Sequence, residues 1–266
     1  MEKIGNTKTV NLEKFTTLKT SDKHEALSNH YKFASTGQIL ERLAQEGWTA
    51  TQYNEKKVKL ETKQGFQNHV AILENQELNN ALSVSGTLPR LIIKNSHDGK
   101  SSLQFTTGLY EAICANGLVV GNDSATARII HTQINEELII NSLQHVIDQM
   151  VRALLVSEKM KSIKLEEPEA LAFKQQAIDM VWNTDKYEVN PNQLTKYYRT
   201  NQNPKDNFWN LFNVVQESVI KGGVLVYNKE SFDKRRAPRI NSIDRNLAVN
   251  KGLWNLAETT LSQHIQ

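Results

Sequence analysis

Cysteine, proline and long apolar runs are scarce in this sequence, and each scarcity excludes a class of protein. The 266 residues include 1 cysteine, 5 prolines and 12 glycines. A single cysteine, Cys114, excludes an internal disulfide and a zinc site built on several cysteines, and it is typical of a reducing compartment. No apolar run approaches the roughly 18 residues of a transmembrane helix, and the N-terminus lacks the apolar core of a signal peptide. We therefore expect a cytoplasmic protein with no membrane partner.

The sequence also lacks a large excess of either positive or negative charge. The 32 lysines and arginines nearly balance the 29 aspartates and glutamates, which leaves a net charge of +3 and a pI near 8.8. A mildly basic chain is compatible with nucleic-acid binding, but only a local concentration of cations would indicate it.

The apolar pattern predicts strands first and helices afterwards. In the first half it indicates a helix over 38–47 capped by Ser35 or Thr36, a strand pair over 48–53 and 58–61, strands over 66–73, 90–94 and 101–106, and a helix over 108–116. In the second half it indicates helices over 135–164, 167–182, 191–198, 207–221 and 242–263. This order favours an α+β fold, with antiparallel strands and a helix in the N-terminal half and an all-helical C-terminal half. We divide the chain into a partly ordered arm (1–34), an α+β domain (35–134) and a helical domain (135–266) with a basic loop at 228–239.

A polar loop interrupts the apolar segments of the first half. It consists of Asn95, Ser96, His97, Asp98 and Gly99. His97 and Asp98 could act as a general base with an orienting carboxylate, or as metal ligands. However, adjacent residues on an extended backbone point in opposite directions, and Asp-Gly is a strong turn signal. We interpret the loop as a hairpin turn with a functional tip, and assign no catalytic residue, metal ligand or cofactor.

The strongest charge feature is the segment from Lys229 to Arg245. Arginines on an extended loop can reach successive phosphates, and Pro238 favours an extended backbone here. The predicted nucleic-acid contacts in this segment are Arg235, Arg236, Arg239 and Arg245. On or beside the first predicted hairpin, Lys56, Lys57 and Lys59 are further candidates, with Trp48 or Tyr53 as residues that stack on bases.

Three stretches together resemble a known family. They are PRLIIKNSHDGKSSLQFTTGLYEAICANGLVVG, FWNLFNVVQESVIKGG and RRAPRINSIDRNLAVNKGLWNLAE. The combination, over roughly residues 35–260, resembles the phage/plasmid-like proteins, a bacteriophage and mobile-element family catalogued as a domain of unknown function. The resemblance implies a mobile element in a bacterial host cell, and it implies no activity. The element order is also similar to that of the Rad-type single-strand annealing proteins, which form rings on single-stranded DNA.

Three hypotheses follow. The first, which we favour, is a homo-oligomeric protein that binds single-stranded DNA in phage or plasmid recombination or replication, and that is not an enzyme. The second is a metal-dependent nuclease centred on His97 and Asp98, with Glu111 and Asp123 as the nearest further carboxylates. The third is a protein-interaction module, for example a host-defence antagonist, that would dock a partner through aromatic residues of the helical half: Trp209, Phe212 and Trp254.

Overall fold

The computed structural model describes residues 10–82, 87–111, 117–119, 125–195 and 203–264, with the backbone alone for residues 110, 111 and 117–119. Its helices are α1 (Thr16–Lys19), α2 (Thr36–Gln45), α3 (Gln76–Leu82), α4 (Glu136–Ser162), α5 (Glu167–Val181), α6 (Phe208–Lys221) and α7 (Ile243–Gln263). Its strands are β1 (Trp48–Glu55), β2 (His69–Asn75), β3 (Thr87–Asn95), β4 (Leu103–Glu111), β5 (Gly117–Val119), β6 (Thr126–Ile129), β7 (Tyr187–Val189), β8 (Leu225–Asn228) and β9 (Lys234–Arg236). Short 3₁₀ helices cover Glu61–Lys63 and Pro191–Thr195. No helix in these ranges is long and apolar enough to cross a membrane.

The chain divides into two compact units. The first comprises residues 1–112 and 123–151, and the second comprises residues 113–122 and 152–266. The division falls within α4, so this helix contributes residues to both units.

An antiparallel sheet forms the centre of the first unit. Its strands follow the order β1-β2-β3-β4, and β6 also pairs with β4. The register places His69 beside Asn95, and Leu73 beside Leu91. Because side chains alternate across a strand, this register aligns the odd-numbered residues of β2 and β3 on one face.

That face carries the core of the first unit. Buried side chains from β2, β3 and β4 pack there with residues of α2 and of the first half of α4: Ala71, Leu73, Leu91, Ile93, Leu103, Phe105, Leu40, Leu43, Val146 and Met150. The segment before α2 also packs against this core through Val10, Leu12, Phe15 and Leu18. In the structure, therefore, residues 10–34 are part of the first unit's packed body.

The second unit is arranged around α6. Most residues of this helix are buried, including the polar residues Asn213, Gln216, Glu217 and Ser218, and a helix buried on most sides lies in the middle of a domain. α5, α7 and the 3₁₀ helix at 191–195 contact it. The largest buried rings of this core are Trp209, Phe212, Trp254, Phe173 and Phe208. Beside the helices lies a small antiparallel sheet in the order β7-β8-β9.

The α+β fold class is confirmed, with antiparallel strands in the N-terminal half and helices in the C-terminal half. Two local predictions are wrong. β1 pairs with β2 rather than with residues 58–61, because the charged residues 56–68 form a longer connection that contains a 3₁₀ turn. Residues 108–111 belong to strand β4 rather than to a helix, while 112–116, with Cys114, lie outside the described residues. The prediction of an all-helical C-terminal half is also wrong, because this half contains the small sheet β7-β8-β9 beside its helices.

Candidate nucleic-acid interface

The end of α6 fixes the backbone from which the predicted arginines project. Gly222 ends the helix with φ +71° and ψ −154°, a region open essentially to glycine alone. A Cβ on Gly222 would lie 2.6 Å from the carbonyl oxygen of Ala237. The Gly223 N–H donates to the Ala237 carbonyl at 2.7 Å, and the Ile240 N–H donates to the Ile220 carbonyl at 3.0 Å. Residues 237–240 are thereby attached to the C-terminus of α6.

Three of the four predicted arginines meet at one pocket beside this backbone. We call it the arginine pocket; its volume is about 390 Å³. Its lining residues all belong to the second unit: Val181, Trp182, Asn183, Tyr187, Val219, Val226, Arg235, Ala237, Pro238, Arg239, Ile240, Asn241, Ser242 and Arg245. None of these lining residues is an aspartate or glutamate, so the pocket carries three positive charges and no negative side chain.

Each arginine reaches the pocket from a different element. Arg235 lies on β9, and its guanidinium donates to the Tyr187 hydroxyl at 3.1 Å and sits 5.2 Å from the centre of that ring, a cation–π contact. Arg239 follows Pro238 in the attached segment. Arg245 lies in the first turn of α7, where its N–H donates to the Ser242 cap. Among the described residues, none of the three guanidinium groups forms an ion pair with a carboxylate.

The start of α7 also borders the pocket through Ser242 and Arg245, and its first turn contains Asp244, which is not among the lining residues. Ser242 is its N-cap, and the helix runs for 21 residues. The aligned peptide dipoles of such a helix place partial positive charge at its N-terminus, which favours anions. The pocket therefore combines guanidinium donors with a helix N-terminus, the chemistry that binds phosphate or carboxylate groups.

The fourth predicted arginine lies apart from the pocket lining. Neighbouring residues of a strand point to opposite sides, so Arg236 projects away from the side taken by Arg235. Its guanidinium donates to the Gly223 carbonyl at 3.0 Å. Arg236 thus supports the turn after α6 while remaining exposed.

The predicted lysines lie in the first unit. Lys56, Lys57 and Lys59 are exposed and occupy the connection between β1 and β2. The Lys56 N–H donates to the Asn68 carbonyl at 2.8 Å, which fixes the start of this connection. These lysines form a group of cations within the first unit.

The two aromatic residues predicted to stack on bases are core residues. Trp48 and Tyr53 are each only 4% exposed. The Tyr53 hydroxyl shares a 2.6 Å hydrogen bond with the Thr17 hydroxyl, and burial raises the pKa of Tyr53. Neither ring has a free face for a base. Simple alternation would place residues 48 and 53 on opposite faces, but the register of β1 shifts between Ala50 and Gln52, and both rings are buried.

The loop that contains Asp98 and Gly99 is a turn, as predicted, but its first residues are internal. It joins β3 to β4, Gly99 has φ +72°, and Asp98 forms an ion pair with Lys100 at 3.5 Å. Asn95, Ser96 and His97 are fully buried. The Asn95 amide donates to the Ala34 carbonyl at 3.1 Å and to the Thr36 hydroxyl at 3.0 Å. Asn95 thus ties the turn to the start of α2, and the three buried side chains do not form an exposed functional tip.

His97 belongs to a buried group of imidazoles. Its ring lies 4.9 Å from the ring of His69 and 4.8 Å from that of Phe33. Burial lowers the pKa of His97 to about 3 and that of His69 to about 4, so both are neutral at physiological pH. His131 is also buried, and desolvation lowers its pKa. Within the described part of the chain, no group of three histidine, cysteine, aspartate or glutamate residues is arranged to hold a metal ion.

Sequence reasoning missed two aromatic residues of the arginine pocket, Trp182 and Tyr187. Tyr187 lies on β7, a three-residue strand too short to produce a periodic signal. Trp182 follows α5 directly and is half-buried. The aromatic residues that the sequence suggested near the basic loop, Tyr197 and Tyr198, lie outside the described residues.

Comparison with known proteins gives a family and two relatives. Residues 23–254 match the model of the family described as Domain of unknown function (DUF932). Two proteins of Escherichia coli (strain K12), UPF0380 protein YfjQ and UPF0380 protein YafZ, are each 28% identical to this chain over 245 residues, which is 92% of this chain and 87% of each relative. No solved structure matches the chain. Since the matched region spans most of the sequence, including both units and the arginine pocket, the chain belongs to the DUF932 family.

Proposed function

We propose that this protein binds nucleic acid, specifically single-stranded DNA, and that a backbone phosphate occupies the arginine pocket. The observation that carries the proposal is the convergence of Arg235, Arg239 and Arg245 on one pocket without a carboxylate in its lining. Clustered cations repel one another and are normally balanced by acidic neighbours. A pocket that holds them unbalanced is suited to a polyanionic ligand.

Guanidinium groups suit this ligand for geometric reasons. The planar guanidinium can donate two parallel hydrogen bonds to phosphate oxygens. Tyr187 holds the Arg235 guanidinium in place, which reduces the entropy lost when a phosphate binds. Phosphate contacts alone do not distinguish single strands from duplexes. The half-buried ring of Trp182 in the same pocket favours single strands, whose bases have free faces.

The biological setting of the proposal comes from the sequence. The resemblance to phage/plasmid-like proteins suggests recombination or replication of a mobile element in the cytoplasm of a bacterial host. Assembly into a homo-oligomer belongs to the same proposal and is tested by light scattering. The similarity in element order to Rad-type annealing proteins contributes nothing here, since no solved structure matches the chain.

The test is a salt titration of oligonucleotide binding. Fluorescence anisotropy with an end-labelled single strand of thymidylates gives the dissociation constant at several salt concentrations. For single strands, each phosphate contact contributes about −0.7 to the slope of the logarithm of the association constant against the logarithm of the salt concentration. We expect Arg239→Gln and Arg245→Gln each to weaken binding and to reduce the slope by about 0.7.

Arg152→Gln is the matched control, because Arg152 is exposed on α4 and does not line the pocket. It should leave both affinity and slope unchanged. The proposal fails if the protein does not bind the oligonucleotide, if binding does not weaken with salt, or if the control variant has the same effect as the pocket variants.

The nuclease hypothesis finds little support in the geometry around His97. A general base must come within hydrogen-bond reach of its substrate, but the His97 side chain is fully buried and its Nε2 lies 3.2 Å from the Thr17 carbonyl. The side chain of Glu111 and the whole of Asp123 lie outside the described part of the structure. The aromatic residues of the interaction-module hypothesis, Trp209 among them, are core residues.

A further inference from the structure

The hairpin that carries Arg235 has an unusual residue at its tip. β8 and β9 pair with Leu225 beside Arg236 and Tyr227 beside Lys234, and residues 229–233 connect them. Phe232 in this connection is 73% exposed, the highest value among the exposed large hydrophobic residues of the described chain. It also has φ +60°, and it is the one described residue other than glycine with a positive φ.

The conformation of the tip is set by Asn228. The Asn228 N–H donates to the Asp233 carbonyl at 2.8 Å, and the Phe232 N–H donates to the Asn228 carbonyl at 2.9 Å. The Asn228 side chain accepts the N–H of Glu230 at 2.9 Å and that of Ser231 at 3.2 Å. Backbone and side-chain hydrogen bonds to Asn228 thus hold residues 230–233, and the Phe232 ring is left exposed at the tip.

Folding does not explain a phenylalanine at this position. Positive φ favours glycine or asparagine, and a bulky side chain there strains the backbone. The ring buries little surface in return; among the described residues its one ring neighbour is Tyr227, with centroids 6.3 Å apart. Strained and exposed positions of this kind cluster at functional sites.

We propose that Phe232 stacks on a base of the single strand whose backbone enters the arginine pocket. Phe232 is three residues from Arg235, so their Cα atoms are at most about 11 Å apart. Arg235 pairs with Val226 and faces the pocket, whereas Tyr227, the ring neighbour of Phe232, points to the opposite side of the sheet. A strand whose phosphate contacts Arg235 therefore reaches the ring by crossing the outer edge of β9. Base-to-aromatic stacking is independent of sequence, because every base offers a π-face.

This inference rests on the proposed function and assigns the ligand a requirement for unpaired bases. Phosphates bound by the arginine pocket alone could belong to a duplex. A ring at the hairpin tip can stack only on a base that is free of its neighbours. We therefore expect single-stranded thymidylates to bind more tightly than a duplex of equal length, and than a single strand of abasic sites of equal length.

The experiment compares substitutions at one position. Phe232→Leu keeps an apolar side chain but removes the π-face, and we expect it to weaken binding of the labelled thymidylate strand about 5- to 150-fold, the range that stacking on one base contributes. The salt slope should not change, since no phosphate contact is lost. Phe232→Tyr should bind like the unmodified protein. The abasic strand should bind Phe232→Leu and the unmodified protein equally.

Two further variants exclude a folding effect. Phe232→Gly should keep or raise the melting temperature, because glycine tolerates positive φ, while it weakens binding as Phe232→Leu does. Leu225→Ala removes another exposed apolar side chain from the same hairpin and should leave affinity unchanged.

The outcomes separate this inference from the proposed function. Salt-dependent binding that is lost in Arg239→Gln but intact in Phe232→Leu would overturn the stacking role and leave the arginine pocket standing. A change of oligomeric state in Phe232→Leu without a change in affinity would mean that the ring contacts a second protein copy, and would overturn it too. Absence of any binding would overturn both.

Discussion

Replacing His97 with phenylalanine should make the first unit less sensitive to acid. The His97 ring packs between the rings of Phe33 and His69, so a phenylalanine of similar shape can take its place. The substitution removes one hydrogen bond, from Nε2–H to the Thr17 carbonyl at 3.2 Å. It also removes Nδ1, a buried acceptor without a hydrogen-bond partner among the described residues. At neutral pH these two effects oppose each other, and the free energy of unfolding should change little.

The acid effect has a definite sign. An unfolded histidine has a pKa of about 6.5. Burial lowers the pKa of His97 to about 3 in the folded protein, so below pH 6.5 the unfolded chain takes up a proton that the folded chain does not. Stability is therefore fully present above about pH 6.5 and is lost as the pH falls towards the folded value. At pH 5 linkage gives a loss of about 2 kcal/mol for His97, and a similar loss for His69, whose folded pKa is about 4.

Urea denaturation at pH 7.5 and pH 5.0 measures this difference. Tryptophan fluorescence follows the transition, and Trp48 reports on the core of the first unit. We expect the drop in unfolding free energy between the two pH values to be about 2 kcal/mol smaller in His97→Phe than in the unmodified protein. His30→Gln, at an exposed histidine, should not change the drop. An equal drop in the His97→Phe variant would show that the buried imidazole is not held neutral, and the reasoning would be refuted.

Three other substitutions have defined outcomes. Gly222→Ala would place a Cβ 2.6 Å from the Ala237 carbonyl oxygen, at a residue with positive φ. We expect the free energy of unfolding in urea to fall by about 2–4 kcal/mol, and oligonucleotide binding in the anisotropy assay to weaken. An unchanged urea midpoint would contradict this expectation. Glu74→Gln removes a carboxylate that forms a buried ion pair with Arg90. We expect calorimetry to show that the free energy of unfolding falls by about 3 kcal/mol. An unchanged free energy of unfolding would mean that the ion pair does not contribute to stability. Lys57→Gln should reduce the size of the salt-dependence slope of oligonucleotide binding by about 0.7. An unchanged slope would mean that Lys57 does not contact a phosphate.

Helices were the most predictable elements from the sequence. α2 begins after Ser35, whose side chain caps the helix as expected, and the apolar stripes of α4, α6 and α7 ended within a few residues of their predicted limits. Long periodic segments produce a strong signal because one face must be buried. The turn at Gly99 was equally readable, because its chemistry is local.

Strand pairing was less predictable because partners are chosen by tertiary contacts. The segment after β1 alternates like a strand, but its lysines are solvated and β1 instead pairs with the more apolar β2. Residues 108–111 have apolar spacing that fits a helix, yet they continue β4, whose pairing with β3 outweighs local preference. A run of apolar residues is compatible with either element until its neighbours are known.

For the candidate site, the sequence predicted which arginines take part but not how they are arranged, because their arrangement depends on tertiary contacts. The sequence identified the arginines, because a local cluster of cations can be recognised without a structure. It could not show that Arg236 would point away from Arg235, nor that Tyr187 would come to hold Arg235 from a strand nearly fifty residues earlier. It also gave no sign that Phe232 would have a positive φ.

The segment before α2 has a consequence for any shortened version of this protein. β1 borders the main sheet, and the Val10 N–H donates to the Ala50 carbonyl on that strand at 3.3 Å. The Phe15 ring centre lies 4.5 Å from that of Tyr53, and Glu55 accepts hydrogen bonds from Thr16 and Thr17. A chain that started at residue 35 would expose the edge of β1 together with apolar surface of the core. Such a fragment should self-associate and precipitate, so domain trimming of DUF932 proteins should leave these early residues in place.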